Sequence, residues 1–278
     1  MKRSLRTANN SGLTLSWLRS GGLCQVRSFW SDTHDIEEQV LDMGAGKSVF
    51  YRKLHADKKP TIVMVPGLRP HTHMDGKKAK TIFRYCDHFD FSCVLYDQEC
   101  TGQSGDLDYC SKVMFSHWVE DALTVIDKLT EGPVVLVGES VGGWLSLIAA
   151  QEISAEKLHG LVLISPAVNH EWIDMKETIN IDCPVRIISG GKEIDPEHLI
   201  ELAASLKTKD VDLIYRKSSD HMLEKIYDLE LLTFTVDRML FDYPARQTLT
   251  EEEKLKAEEK KEKVLHDEIM RKIAVWEH

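Results

Sequence analysis

The stretch that most constrains the fold is residues 134–150, VVLVGESVGGWLSLIAA. Its first four residues form an apolar, β-branched run of the length expected for a strand buried in a parallel sheet. The next five, GESVG, fit the pattern G-x-S-x-G, and the apolar residues that follow suit a buried helix. Because a strand that turns into a helix at one residue brings backbone segments together, flanking side chains would collide, which accounts for the glycines. The stretch therefore predicts a strand, a sharp corner at Ser140 and a helix.

The corner places the hydroxyl of Ser140 clear of the end of the sheet, where it can react. The N–H groups in the first turn of a helix have no partner within the helix, so that of Val141 can stabilise a negatively charged oxygen. A glycine-rich turn with an idle serine is the alternative. The nucleophile is favoured because a buried strand precedes the corner and a helix follows it, as the motif requires.

Strands and helices alternate from Thr61 to Leu240, which is typical of a mostly parallel α/β sheet with helices on both faces. A weaker strand at 48–54 is expected at the sheet edge, and residues 31–47 are polar enough to be left as a lead-in. The predicted buried strands are 61–65, 93–97, 134–137, 161–165, 185–189 and 211–216, and the predicted helices are 77–88, 115–129, the helix after Ser140, 197–206 and 222–240.

A serine hydroxyl is a weak nucleophile at neutral pH and needs a base, which in turn needs an orienting carboxylate. In hydrolases with this corner the acid and the histidine follow the serine in that order, each after a later strand. His221 lies between the last predicted strand and the last core helix and is the predicted base. The acid is expected in the segment GGKEIDP, where Glu193 takes the usual position and Asp195 is the alternative.

A second donor to the oxyanion is expected from the loop after the first buried parallel strand. Leu68 follows Gly67 there, and its N–H group is predicted to act together with that of Val141.

A rival site lies in the same loop. His71, His73 and Asp75 form an H-x-H-x-D run like that of metal-dependent hydrolases, and histidines on alternate residues can share a metal ion. Gly76 stands where that motif has its next histidine, and no later ligand cluster is evident. A metal-dependent hydrolase is therefore the minor alternative.

With these segments in place, the chain resembles the α/β-hydrolase family, and within it the mitochondrial palmitoyl-protein thioesterases, which are also described as acyl-glucuronide esterases. The resemblance implies cleavage of acyl thioesters or esters without a cofactor. Ser140 would attack, His221 would transfer the proton and Glu193 would orient the histidine. It covers about residues 51–240 and is carried by the segments VPG at 65–67, YD at 96–97 with Gly102 and Ser104, LVGESVGGWL at 136–145, CPVR at 183–186 and RKSSDH at 216–221.

Three departures from the family pattern stand out. Cys100 replaces the first glycine of a D-x-x-G-x-G segment, and the turn that carries the acid is one residue short and has a glutamate. Only residues 166–182 lie between two successive strands, where the family usually inserts a much longer helical lid. We therefore expect a minimal lid, which leaves the acyl pocket more open to water.

The two ends of the chain differ in composition from the hydrolase domain, predicted at 48–245. Residues 1–30 contain basic residues and no acid, which is typical of a mitochondrial transit peptide and predicts a location in the matrix. Residues 250–278 form a charged helix with a short apolar stripe near its end. The helix is expected to be solvated, with docking to a partner or a membrane as the sharper alternative.

Composition and net charge limit the function classes that fit the chain. The net charge of −10 and the lack of a Lys/Arg stripe argue against nucleic-acid binding, and no apolar run has membrane-spanning length. The six cysteines form no C-x-x-C pair and are expected to be free thiols.

The leading prediction is a serine hydrolase that acts on acylated proteins or small acyl esters. A catalytically weak binding or scaffold protein on a hydrolase fold is the alternative from another class.

Overall fold

The computed structural model describes residues 34–44, 46–105, 115–167, 179–192 and 195–248, with side chains described as far as residue 241. Eight strands form one sheet in the order β1-β2-β4-β3-β5-β6-β7-β8. The pairings β1–β2 and β2–β4 are antiparallel, and the other five are parallel. The strands are β1 Ile36–Gly44, β2 Lys47–Leu54, β3 Lys58–Val65, β4 Phe91–Tyr96, β5 Val134–Glu139, β6 Leu158–Ile164, β7 Val185–Gly190 and β8 Val211–Arg216.

Five helices cover the two faces of this sheet. They are α1 Lys77–Phe89, α2 Phe115–Leu129, α3 Val141–Glu152, α4 Pro196–Ser205 and α5 Ile226–Thr248. Alternate side chains of each strand point to opposite faces, so Val135 and Val137 pack with α1 and α5 while Val134 and Leu136 pack with α2, α3 and α4. Strands buried on both faces read as continuous apolar runs, as the sequence of β5 does. The predicted mostly parallel α/β sheet is confirmed.

The helices with the clearest apolar stripes are those that the sequence places best. Helix α2 spans the predicted residues, and α1 extends one residue beyond them to Phe89. Helix α5 begins at Ile226, whereas the sequence predicts a start at Met222. The difference arises because the Asp220 carboxylate accepts hydrogen bonds from the N–H groups of Met222 and Leu223, at 3.1 and 3.3 Å. Side-chain acceptors of this kind hold the backbone in a turn and compete with helix.

The first strand lies in the segment that the sequence analysis leaves unassigned. Strand β1 pairs with β2 along its whole length, so β2 is not the edge strand that the sequence predicts. No residue of β1 is fully buried, and Val40 is 61% exposed. Periodicity in hydropathy reports burial of one face, and this edge strand buries too little to produce it.

The cysteines are not all free thiols. Cys86, Cys93 and Cys183 form no disulfide, as predicted, and all three are buried. Cys100 is disulfide-bonded, so the prediction is wrong at this position. None of the three other described cysteines is its partner, because they form no disulfide.

Several predicted features fall outside the described residues. They include the transit peptide at 1–30, the charged helix at 250–278 and residues 168–178 of the shortened lid region. None of the helices in the described part of the chain has the length and apolar composition needed to cross a bilayer.

Replacing the side chain of Leu136 tests the central position of β5. Leu136 is fully buried between β3 and β6, so Leu136→Ala should lower the free energy of unfolding by about 2 to 5 kcal/mol. The measurement is urea unfolding of the full chain. Val40→Ala on β1 is the control, and its largely exposed side chain should change stability by less than about 0.5 kcal/mol. Equal effects of the two substitutions would contradict this arrangement of the sheet.

Candidate active site

The corner between β5 and α3 holds Ser140 in a strained backbone conformation. Ser140 has φ +54° and ψ −117° and occupies the N-cap position of α3. Its N–H donates to the carbonyl of Ile164 at 2.9 Å, and its carbonyl accepts from the N–H groups of Gly143 and Ala167 at 3.0 and 3.2 Å. Non-glycine residues persist in such conformations only where the surroundings fix them, and such positions cluster at functional sites. The half-buried serine therefore stands at the carboxyl end of the sheet, as predicted.

Three glycines allow the backbone segments around Ser140 to touch. A Cβ on Gly138 would lie 2.4 Å from the carbonyl oxygen of Gly142, and a Cβ on Gly142 would lie 2.1 Å from that of Val65. A Cβ on Gly67 would lie 2.9 Å from the carbonyl oxygen of Glu139. The loop after β3 and the first turn of α3 are therefore in direct contact on either side of the serine.

This contact brings together the two segments that carry the predicted oxyanion donors. Leu68 follows Gly67, and Val141 is the first residue of α3, where an N–H group has no intrahelical acceptor. The side chains of both residues are half-buried against the same core cluster. Leu68 and Val141 therefore stand on two adjoining segments near Ser140, and their role as oxyanion donors stays a prediction.

The loop that carries His221 is fixed by buried polar contacts. Ser219 donates from Oγ to the Asp228 carboxylate at 2.8 Å, and Nε of Arg216 lies 3.2 Å from the same oxygen. The N–H of Lys192 donates to the carbonyl of Ser219 at 3.2 Å. Gly190 packs so tightly on this loop that a Cβ there would lie 1.9 Å from the carbonyl oxygen of Asp220. The end of β7 and the histidine loop therefore form one unit.

Only one of the two candidate acids lies among the described residues. Glu193 lies outside the described residues, directly after a turn that is hydrogen-bonded to the histidine loop. Asp195 is exposed and caps α4, because its carboxylate accepts the N–H of Glu197 at 3.0 Å. The Asp195 carboxylate is thus already engaged with a helix terminus.

The candidate metal ligands do not come together. The Asp75 carboxylate lies 3.5 Å from Arg52 and 3.6 Å from Lys80 and accepts from Gln103 at 3.2 Å, so basic and amide groups surround it. Within the described ranges, which include His71 and His73, no group of three His, Cys, Asp or Glu side chains is arranged to hold a metal ion. The residues of the H-x-H-x-D run therefore do not form the predicted alternative site.

His71 faces the site from the short 3-10 turn Pro70–Thr72. Burial is the main cause that lowers its pKa, and the nearby charges of Lys78, Arg69 and His221 lower it further, against the opposing charge of Glu224. His71 and His221 therefore lie close enough for their charges to interact. A neutral His71 is favoured beside the candidate base.

One buried feature of the site escapes the sequence analysis. The Lys78 ammonium lies 2.9 Å from the Glu139 carboxylate, and the two side chains are 1% and 5% exposed. Burial raises the pKa of Glu139 to about 7, although Lys78 opposes the shift. A sequence signal was present, because Glu139 ends an otherwise apolar strand and Lys78 falls on the same stripe of α1 as Ile82 and Cys86.

Comparison with known proteins shows which hydrolases this chain is similar to. The sequence profile of a family of hydrolases described as serine aminopeptidase, S33, matches residues 56–181. The mitochondrial palmitoyl-protein thioesterase ABHD10 of Rattus norvegicus is 31% identical, over 69% of this chain and 79% of that protein. The same-named protein of Bos taurus is 30% identical, over 68% of this chain and 76% of that protein.

Solved structures give the same answer for the fold. Mouse α/β-hydrolase domain-containing protein 10 superposes with a TM-score of 0.67 at 24% identity, over 74% of this chain and 99% of that one. A Xanthomonas campestris protein described as an α/β serine hydrolase without a lid superposes with a TM-score of 0.58 at 17% identity, over 75% and 94% of the two chains. The strand order, the strained corner at Ser140 and these similarities agree, and the chain belongs to the α/β-hydrolase family that contains the ABHD10 palmitoyl-protein thioesterases.

Proposed function

We propose that this hydrolase is a serine hydrolase that cleaves acyl thioesters or esters through an acyl-enzyme intermediate. The observation that carries the proposal is the backbone of Ser140, held at φ +54° with hydrogen bonds on both sides at the start of α3. A serine at the N-cap adjoins the first turn of the helix, where N–H groups lack intrahelical acceptors. Such an arrangement serves nucleophilic attack on an acyl carbonyl.

In the proposed reaction, Oγ of Ser140 attacks the acyl carbon while His221 accepts the hydroxyl proton. The negative charge on the carbonyl oxygen is stabilised by the N–H groups of Val141 and Leu68. When the tetrahedral intermediate collapses, the thiol or alcohol leaves with the proton from His221, and the acyl group stays on Ser140. Water activated by His221 then releases the fatty acid and restores the serine. Glu193 is the proposed acid that orients His221.

The proposed substrates are S-palmitoylated proteins or small acyl esters such as acyl glucuronides, and the reaction uses no cofactor. Support for the first comes from the relatives, which are named palmitoyl-protein thioesterases. The proposed location is the mitochondrial matrix. It is supported by the acid-free, basic composition of residues 1–30 and by the mitochondrial designation of the same relatives.

Labelling with a fluorophosphonate probe tests the nucleophile and the base. The full chain should be labelled at Ser140, Ser140→Ala should abolish labelling, and His221→Ala should slow it by about a hundredfold or more because a general base contributes that much. Ser154→Ala and His88→Ala, at exposed positions away from the corner, should label at the wild-type rate. A folded wild-type chain that resists the probe would favour the alternative, a binding or scaffold protein on a hydrolase fold.

A matched pair of amide substitutions tests the acid. Glu193→Gln should slow labelling by about a hundredfold or more, because an amide no longer orients and stabilises the imidazolium. Asp195→Asn should leave the rate unchanged, since asparagine also caps a helix N-terminus. Rates are measured under single-turnover conditions on chains whose folding is verified by circular dichroism. The reverse result would assign the acid to Asp195.

A further inference from the structure

The buried lysine of α1 joins the two segments that carry the candidate nucleophile and base. Lys78 Nζ lies 2.9 Å from Oε1 of Glu139, the residue before Ser140. The same Nζ donates a short hydrogen bond to the carbonyl oxygen of Met222, the residue after His221. One ammonium group therefore contacts both the end of β5 and the loop that follows β8.

Apolar core residues flank both partners of this ammonium. Glu139 points to the same face of β5 as Val135 and Val137, because side chains two residues apart share a face. Leu223, next to Met222, belongs to the same core cluster. A buried ion pair at such a place adds little stability over apolar side chains of similar size, since the loss of hydration offsets the attraction between the charges. The position of the ion pair between the two candidate catalytic segments is therefore more informative about its role than its contribution to stability.

We propose that Lys78 is a positioning residue, which fixes the distance between Ser140 and His221 by binding Glu139 and Met222 at the same time. This role rests on the proposed serine-hydrolase function. The two segments belong to strands that are separated in the sheet by β6 and β7, so no direct strand pairing sets their spacing. The contact of Lys78 with both segments sets this spacing. A shift of the base by about 1 Å can slow a reaction by about a hundredfold.

The charged groups around the contact are compatible with this role. Glu224 also acts on Glu139, and its carboxylate is paired with Lys77 at 3.0 Å on the surface. His71 lies within reach of the charges of Lys78 and His221. The side chain of Lys77 is 66% exposed and pairs with Glu224, so this neighbouring lysine on α1 is a matched position for comparison.

Labelling kinetics of lysine variants in the full chain test the proposal. Lys78→Met should lower the maximal rate constant of fluorophosphonate labelling by about tenfold to a hundredfold, while the probe concentration at half-saturation stays within about threefold. Lys77→Met on the neighbouring residue should change neither quantity. A mere loss of stability would lower the fraction of protein that is labelled and would leave the rate constant of the folded fraction unchanged.

A double variant separates the contact from the burial of charge. Lys78→Met with Glu139→Gln leaves no buried charge at this place and should fold, yet its rate constant should stay as low as that of Lys78→Met because the Met222 carbonyl has lost its donor. A wild-type rate constant in folded Lys78→Met, an equal fall in Lys77→Met, or a double variant that does not fold would overturn the positioning role. Absence of wild-type labelling would instead overturn the proposed function itself.

Discussion

The close approach of three backbone segments at the end of β5 is the constraint on which the rest of the structure depends. Gly138, Gly142 and Gly67 lie where a Cβ would fall between 2.1 and 2.9 Å from a backbone carbonyl oxygen. Because the segments touch, Ser140 is forced to φ +54°, and the first turn of α3 faces the loop after β3. The strain at one residue is maintained by the surrounding sheet, in which β5 is hydrogen-bonded to β3 on one side and β6 on the other. A rigid scaffold and a strained corner are thus two aspects of one arrangement.

Much of this arrangement could be read from the sequence because it depends on local patterns. The helical period of α2 and the continuous apolar run of β5 both follow from burial, which hydropathy reports directly. Strand β1 gives no such pattern, because an exposed edge strand buries no complete face. The helical pattern predicts too early a start for α5, because the Asp220 carboxylate holds the preceding amides in a turn. Local sequence patterns predict the elements whose burial is regular. They fail where a side-chain hydrogen bond or an exposed sheet edge determines where an element lies.

The residues of the candidate site likewise fall into those that the sequence predicts and those that it does not. The positions of Ser140 and His221 relative to the strands follow from the order of elements, so the sequence could place them at one end of the sheet. The apolar patterns of α1 and β5 mark Lys78 and Glu139 as buried, but the two residues lie far apart in the chain and no spacing shows that they contact each other. The backbone of Cys100 is likewise not predictable from the residue type, because Cys100 adopts φ +62° at a position where the family pattern has glycine. Tertiary contacts of this kind become visible only once the sheet is assembled.

The connection between β6 and β7 is fastened at two points, and this bears on how such folds diverge. Ala167 donates its N–H to the carbonyl of Ser140 and accepts the indole N–H of Trp144, while Ile179 forms a parallel bridge with Leu206. Residues added between two fixed anchors cost a sheet little, since the entropy of closing a loop grows only with the logarithm of its length, by about 0.6 kcal/mol per doubling. A cap of any size can therefore be inserted there as a module. The sheet and its reactive corner can be inherited unchanged while the covering above them is replaced.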